Sequence, residues 1–105
     1  MMDAVFEADG FARDVTVTFE PGALITTLIG STAECHARPI NAGASATVAG
    51  AATILSASVV RAIWPAWSVP TGMIAIQVRV IPPSGNAQTV YTEEIEVQAS
   101  LRPRP

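Results

Sequence analysis

A thiol and an imidazole stand side by side at Cys35-His36. A cysteine nucleophile needs its base within hydrogen-bond reach. Neighbouring side chains on a strand leave opposite faces, so this pair predicts a small core cysteine beside a surface histidine. The sequence holds no other His and no other Cys. Glu34, His36 and Arg38 alternate and therefore share one strand face. A metal would want the histidine and carboxylates with further ligands. The guanidinium in the same row repels a cation, and the row predicts a solvated face with cross-strand pairs. Trp64-Pro65-Ala66-Trp67 offers two aromatics that could bind a sugar or a protein by stacking and burial. Trp64 closes a strand and is expected in the core. Trp67 sits in a loop between prolines, as a packed anchor or an interface residue. Glu93, Glu94 and Glu96 could supply a carboxylate pair for acid–base work, but no third group is implied. They are expected as exposed edge-strand charges that discourage aggregation, or as partners for an Arg of a neighbouring subunit. The sequence shows no phosphate-cradling Gly loop, no zinc spacing and no Gly-x-Ser-x-Gly elbow. No catalytic residue, no metal ligand and no cofactor site is therefore assigned.

The elements that must position these residues follow from composition and period. The chain has 105 residues, half of them hydrophobic and 14% charged. That suits one domain with a packed core and excludes disorder over most of the length. The net charge is -3, and the six cationic residues are scattered arginines. Nucleic-acid binding needs a clustered basic face, so no nucleic-acid partner is expected. The single cysteine excludes an internal disulfide framework. The acidic start Met1-Met2-Asp3-Ala4-Val5-Phe6-Glu7 does not read as a secretory signal. The charge-free stretch from Pro39 to Val60 is broken by Gly, Ser, Thr and Asn, so membrane insertion is not expected. Mean hydropathy is +0.38. With so few charges, some apolar surface is expected to meet another subunit or a partner.

Period two governs the chain from Asp14 onward. Val15, Val17 and Phe19 alternate with Thr16 and Thr18, and Pro21-Gly22 ends that strand. A second run covers Leu24 to Ile29. Ala33, Cys35 and Ala37 share a face in the next strand, which Pro39 stops. Short strands are expected at Ala46-Thr47-Val48 and Thr53-Ile54-Leu55, with a turn at Gly50. Val59 to Trp64 is a further strand, rich in β-branched residues. Ile74, Ile76, Val78 and Val80 face one way within 73–81. Pro82-Pro83-Ser84-Gly85-Asn86 is a hairpin loop, and 87–98 returns with a bulge expected near Glu93. The pattern of about seven short strands with regular turn signals predicts an all-β fold, a single antiparallel β-sandwich of immunoglobulin-like type. A small barrel is the alternative. Residues 1–12, anchored by Val5, Phe6 and Phe11, are expected as an N-terminal arm on a neighbour or as a first strand. Residues 13–100 form the sandwich. Leu101-Arg102-Pro103-Arg104-Pro105 is expected as an extended tail, since proline lacks the ladder donor.

The second half carries an ordered series of segments. These are Val59-Val60-Arg61-Ala62-Ile63-Trp64-Pro65, then Pro70-Thr71-Gly72-Met73-Ile74. Gln77-Val78-Arg79-Val80 and Pro83-Ser84-Gly85 come next. Gln88-Thr89-Val90-Tyr91 and Ile95-Glu96-Val97 close it. The series resembles the immunoglobulin-like domain of phage structural proteins, such as the one at the N-terminus of phage baseplate upper proteins. The resemblance spans about residues 14–98. Met73-Ile74 stand where that pattern has an aromatic residue. Arginine without lysine, together with abundant alanine, also suits a GC-rich bacterial or phage genome. The resemblance implies a non-enzymatic virion structural protein, made in the host bacterial cytoplasm and located in the virion. Capsid decoration or head-fibre attachment is the expected place, with a tail, neck or baseplate position as the alternative. The implied partners are other virion proteins, capsid or tail subunits, together with self-association into a homo-oligomer. Val5, Phe6, Phe11, Trp67, Arg102 and Arg104 are the candidate interface residues. A rival expectation is an immunoglobulin-like binding module that recognises carbohydrate or a cell-surface protein through Trp67.

Overall fold

Alternating apolar residues need a second layer to bury them, and the chain supplies it in two sheets. A computed structural model describes residues 5, 6, 8–19, 21, 27–43, 46–83 and 85–99. Eight strands run through them in chain order: β1 (Val5–Phe6), β2 (Phe11–Thr16), β3 (Thr32–Pro39), β4 (Val48–Ala49), β5 (Ala51–Ile54), β6 (Val59–Trp64), β7 (Gly72–Ile81) and β8 (Gln88–Gln98). The larger sheet is ordered β1-β8-β7-β3-β4 and the smaller β2-β6-β5. All neighbours pair antiparallel except β1, which runs parallel to β8. The fold is all-β, two sheets face to face as a sandwich. No helix among the described residues is long and apolar enough to cross a membrane.

The core lies between the sheets and follows the sequence alternation. Ile74, Ile76, Val78 and Val80 line β7 and meet Cys35 and Ala37 of β3 and Ile95 and Val97 of β8. From the smaller sheet come Val15, Val60, Ala62 and Trp64. Each fully buried aliphatic side chain of this kind contributes roughly 1.5–3 kcal/mol of transfer free energy.

Several expectations about the elements are revised. Of the two expectations for residues 1–12, the described residues follow the first-strand one and pair within the sandwich. Val5 and Phe6 pair with Val97 and Gln98, and Phe11 and Ala12 pair with Trp64 and Ile63. An apolar Val5 completes the core edge beside Val97, which is why this segment packs on its own chain. Of the run expected as a strand at 24–29, Thr27 and Leu28 are irregular and Ile29 lies in a turn; residues 24–26 lie outside the described residues. Leu28 is nonetheless fully buried, as a plug over the end of the core. Its N–H donates to the Ala57 carbonyl at 2.8 Å, so a loop contact replaces a ladder. The bulge falls at Val90, because Val78 opposes Tyr91 while Arg79 opposes Thr89. With one extra residue there, Val90 and Tyr91 both pack against the core.

Between β4 and β5 the chain changes sheets at Gly50. β4 pairs with β3 in the larger sheet, and β5 pairs with β6 in the smaller. A Cβ on Gly50 would lie 2.6 Å from the Ile63 carbonyl oxygen, 2.8 Å from Cys35 Sγ and 2.9 Å from Trp64 Nε1. Only glycine lets the backbone pass that close.

Candidate functional site

β3 turns Cys35 inward and His36 outward, as its alternation requires. The thiol is buried against the backbone of Gly50 and Ile63, and burial pushes its pKa up. A raised pKa makes a poor thiolate, and the imidazole stands on the other face. Among the described residues, no group of three or more His, Cys, Asp or Glu could hold a metal ion.

The outer face of the larger sheet collects the polar residues singled out above. Glu34 accepts a hydrogen bond from Arg79 Nη1 at 3.2 Å, the cross-strand pair expected of a solvated face. Next to it lies a shallow groove of about 580 Å³, with His36 and Arg38 on one wall, Thr92 and Glu94 on the other, and Ala75 and Gln77 beneath. The groove exists because Ala75, the residue opposite both Arg38 and Glu94, is too short to fill the row between them. A cation and an anion thus flank a floor of one small apolar and one polar side chain. This is an open face suited to polar contact.

The three acidic residues part company. Glu94 and Glu96 point outward as expected, but Glu93 faces the other sheet on the same side as Ile95 and Val97. It accepts hydrogen bonds from Arg13 Nε at 2.9 Å and Tyr91 Oη at 2.7 Å. Arg13 comes from the core-facing side of β2, where its guanidinium also lies 5.5 Å from the centre of the Phe11 ring. Burial opposes the Glu93 charge, but the hydrogen bonds from Arg13 and Tyr91 and the Arg13 charge outweigh it, and its pKa falls. The hydrogen bond to Glu93 raises the Tyr91 pKa, with burial adding to it. Arg13–Glu93–Tyr91 is a polar latch between the sheets, and it corrects the reading of Glu93 as an exposed edge charge. Periodicity carries no sign of it, because Arg13 and Glu93 are 80 residues apart. A third ion pair, Arg61 with both Asp14 oxygens at 2.8 and 3.0 Å, lies on the exposed face of the smaller sheet. The hydrogen bond from Arg61 holds the Asp14 carboxyl below its ordinary range.

The aromatic pair divides as the sequence suggested. Trp64 is fully buried and stacks on Phe11 with ring centres 4.9 Å apart. Its Nε1 is buried without a hydrogen-bond partner. Trp67 is half-buried in the turn Pro65–Ser68, which closes with Ser68 N–H donating to the Pro65 carbonyl at 3.2 Å. Its φ is +64°, the left-handed region, where a side chain carries a cost of about 1–2 kcal/mol. Gly10 holds this turn from below, with its own φ at +68° and room only for a hydrogen where a Cβ would meet Ala66 N and Trp64 O at 2.8 Å.

Of the other candidate interface residues, Val5 is buried in the core, Phe11 is half-buried on Trp64, and Phe6 is exposed. Arg102 and Arg104 lie outside the described residues. Sequence reasoning did not single out Ile29, Ile40, Leu55, Ile63 and Met73, which together with Phe6 are the exposed large apolar side chains among the described residues. Their signal was the high mean hydropathy, which gives the excess and not its place. No family model matches this chain, and no curated protein or solved structure matches it.

Proposed function

We propose that the protein is a non-enzymatic structural component of a phage or phage-like particle, an immunoglobulin-like accessory domain that decorates the capsid or attaches a head fibre. The observation that carries this reading is the strand order. An immunoglobulin-type sandwich sets strands B, E and D in one sheet and C, F and G in the other, with C′ added beside C in variable-type domains. Lettering β1 to β8 as A, B, C, C′, D, E, F and G turns the smaller sheet into B-E-D and the larger into A-G-F-C-C′. The segments quoted for the resemblance fall in order on β6, β7, the hairpin and β8. Two departures stand beside this support. The buried tryptophan is on the sixth strand, and a lone cysteine takes the place of a disulfide. The exposed apolar residues fit a protein whose surface is covered on a particle.

Particles made by the organism that encodes the chain can be banded by density and their proteins read by mass spectrometry. The chain is expected in the particle band, and immunogold labelling is expected on the head. Its absence from the band overturns the proposal, and labelling on the tail moves it to a neck or baseplate position. Trp67 favours a second reading, a binding module for carbohydrate or a cell-surface protein, because non-glycine residues in strained backbone cluster at functional sites. Glycan-array or host-cell binding that Trp67→Ala abolishes would establish that reading; no signal in either assay would discard it.

A further inference from the structure

Among the described residues the sandwich has four lateral edge strands, and three carry features that keep edges from pairing with other chains. β1 and β4 are two residues long, and β2 presents Arg13 and Asp14 in succession. Short edges and edge charges both discourage strand addition. β5 has neither a charge nor a proline, and it lies within the charge-free run from Pro39 to Val60. No strand among the described residues pairs with its outer side.

The direction of its free backbone groups follows from one contact. Leu55 N–H donates to the Val59 carbonyl at 2.9 Å, in the same register that pairs Ile54 with Val60. Lateral direction alternates along a strand. Ala51, Thr53 and Leu55 therefore point their backbone groups at β6, and Ala52 and Ile54 point theirs to the open side. On the outer face, Thr53 and Ala51 are exposed, and Ala51 is opposite Ile63. Leu55 and Ile63 are 46% and 42% exposed, so this edge ends in apolar surface still in contact with water.

We propose that two copies of the chain pair through β5, antiparallel about a two-fold axis, with Thr53 opposite Thr53 of the partner subunit. In this register Ala52 and the partner's Ile54 exchange both backbone hydrogen bonds, and Ile54 does the same with the partner's Ala52. Every free donor and acceptor of the edge is used. Thr53 meets its twin as a close, non-hydrogen-bonded pair, a favourable threonine contact with no like charges opposed. Leu55 lies opposite the partner's Ala51, and the partner's Ile63 stands beyond that alanine in the same row. The two exposed side chains thus flank the short Ala51 side chain from either side, with the same patch on each copy, as an isologous interface requires. Shifting the register by two positions toward the N-terminus would set Leu55 against the partner's Ala49, which has already crossed to the other sheet. The interface concerns self-association alone and stands or falls apart from the particle assignment.

Light scattering of the full chain across a concentration series is expected to show a monomer–dimer equilibrium. Ala52→Pro removes a donor that faces only the partner, and edge positions of this kind accept proline. It is expected to weaken the dimer ~10-fold or more while moving the thermal midpoint by less than about 4 °C. Thr53→Cys is expected to form a covalent dimer on mild oxidation, because directly opposed positions satisfy disulfide geometry. Ala51→Cys, whose twin is several residues away along the strand, is expected not to. The cysteine pair decides the matter if Ala52→Pro does not fold. A chain that stays monomeric at every concentration, a dimer indifferent to Ala52→Pro, or cross-linking at 51 as fast as at 53 would overturn the proposal.

Discussion

Glu93 holds a negative charge on the core-facing side of β8, and only its partners make that tenable. Removing it leaves the Arg13 guanidinium half-buried without its carboxylate, and an unsatisfied buried group costs about 1–3 kcal/mol. Glu93→Ala is expected to lower the urea-unfolding free energy by that amount. The acid response follows from the same contacts. The folded-state pKa of Glu93 lies below the ordinary value of 4.5. The stabilisation is therefore fully present above that value and is lost as pH falls through the folded pKa. Glu93→Gln is expected to flatten the stability profile in that acid window, as followed by urea midpoints at successive pH values. Trp67 makes a different prediction. At a φ of +64° glycine avoids the side-chain strain that alanine keeps. Trp67→Gly is expected to be more stable than Trp67→Ala by about 1 kcal/mol, read from paired thermal melts. At this scale the sequence was partly legible. Cys35, His36 and Trp64 could be placed from alternation alone. Glu93 could not, because a cation on another strand and the hydroxyl of Tyr91 on its own strand hold it, and periodicity reports neither.

At the scale of elements, legibility tracked side-chain size. β7 stood out because large β-branched residues alternate there without interruption. The stretch from 44 to 58 is mostly Ala, Gly, Ser and Thr, and its larger residues Val48, Ile54 and Leu55 are too few to give a strong period. What the stretch does have is Gly50, read as a turn and found as the point where one nearly continuous extended segment changes sheets. Gly50→Ala is expected to cost about 3 kcal/mol or more, since the added methyl meets backbone at Ile63 as well as Cys35 and Trp64. A urea midpoint unchanged from that of the parent chain would show that the crossing relaxes freely. The Leu28 segment failed for a different reason. The apolar run around it resembles a strand, but Leu28 itself plugs the end of the core, and a plug and a strand share a composition.

At the scale of the molecule, the N-terminal stretch is a working part of the sandwich. Val5 belongs to the core, and Phe11 covers the indole of Trp64. Deleting residues 1–12 is expected to cost at least about 3 kcal/mol through lost burial, visible as a thermal midpoint well below that of the full chain. A truncated chain that melts like the full one would return the segment to the status of an arm. The sandwich itself was legible from strand number and turn spacing. The pairing of β1 with β8 was not, because a two-residue parallel contact leaves no pattern in a sequence.

The chain crosses between the layers within a few residues in two places. β1 and β2 are edge strands of different sheets, joined by a short turn, and so are β4 and β5, joined by Gly50 alone. The two crossings involve opposite ends of the strand order in each sheet. Peptide bonds therefore close both long flanks of a structure that hydrogen bonds alone would leave open, and the two layers form a hoop. Sliding one layer over the other would load covalent bonds on both flanks at once. Under tension the molecule should yield by peeling from a strand end, since neither face can glide off the other.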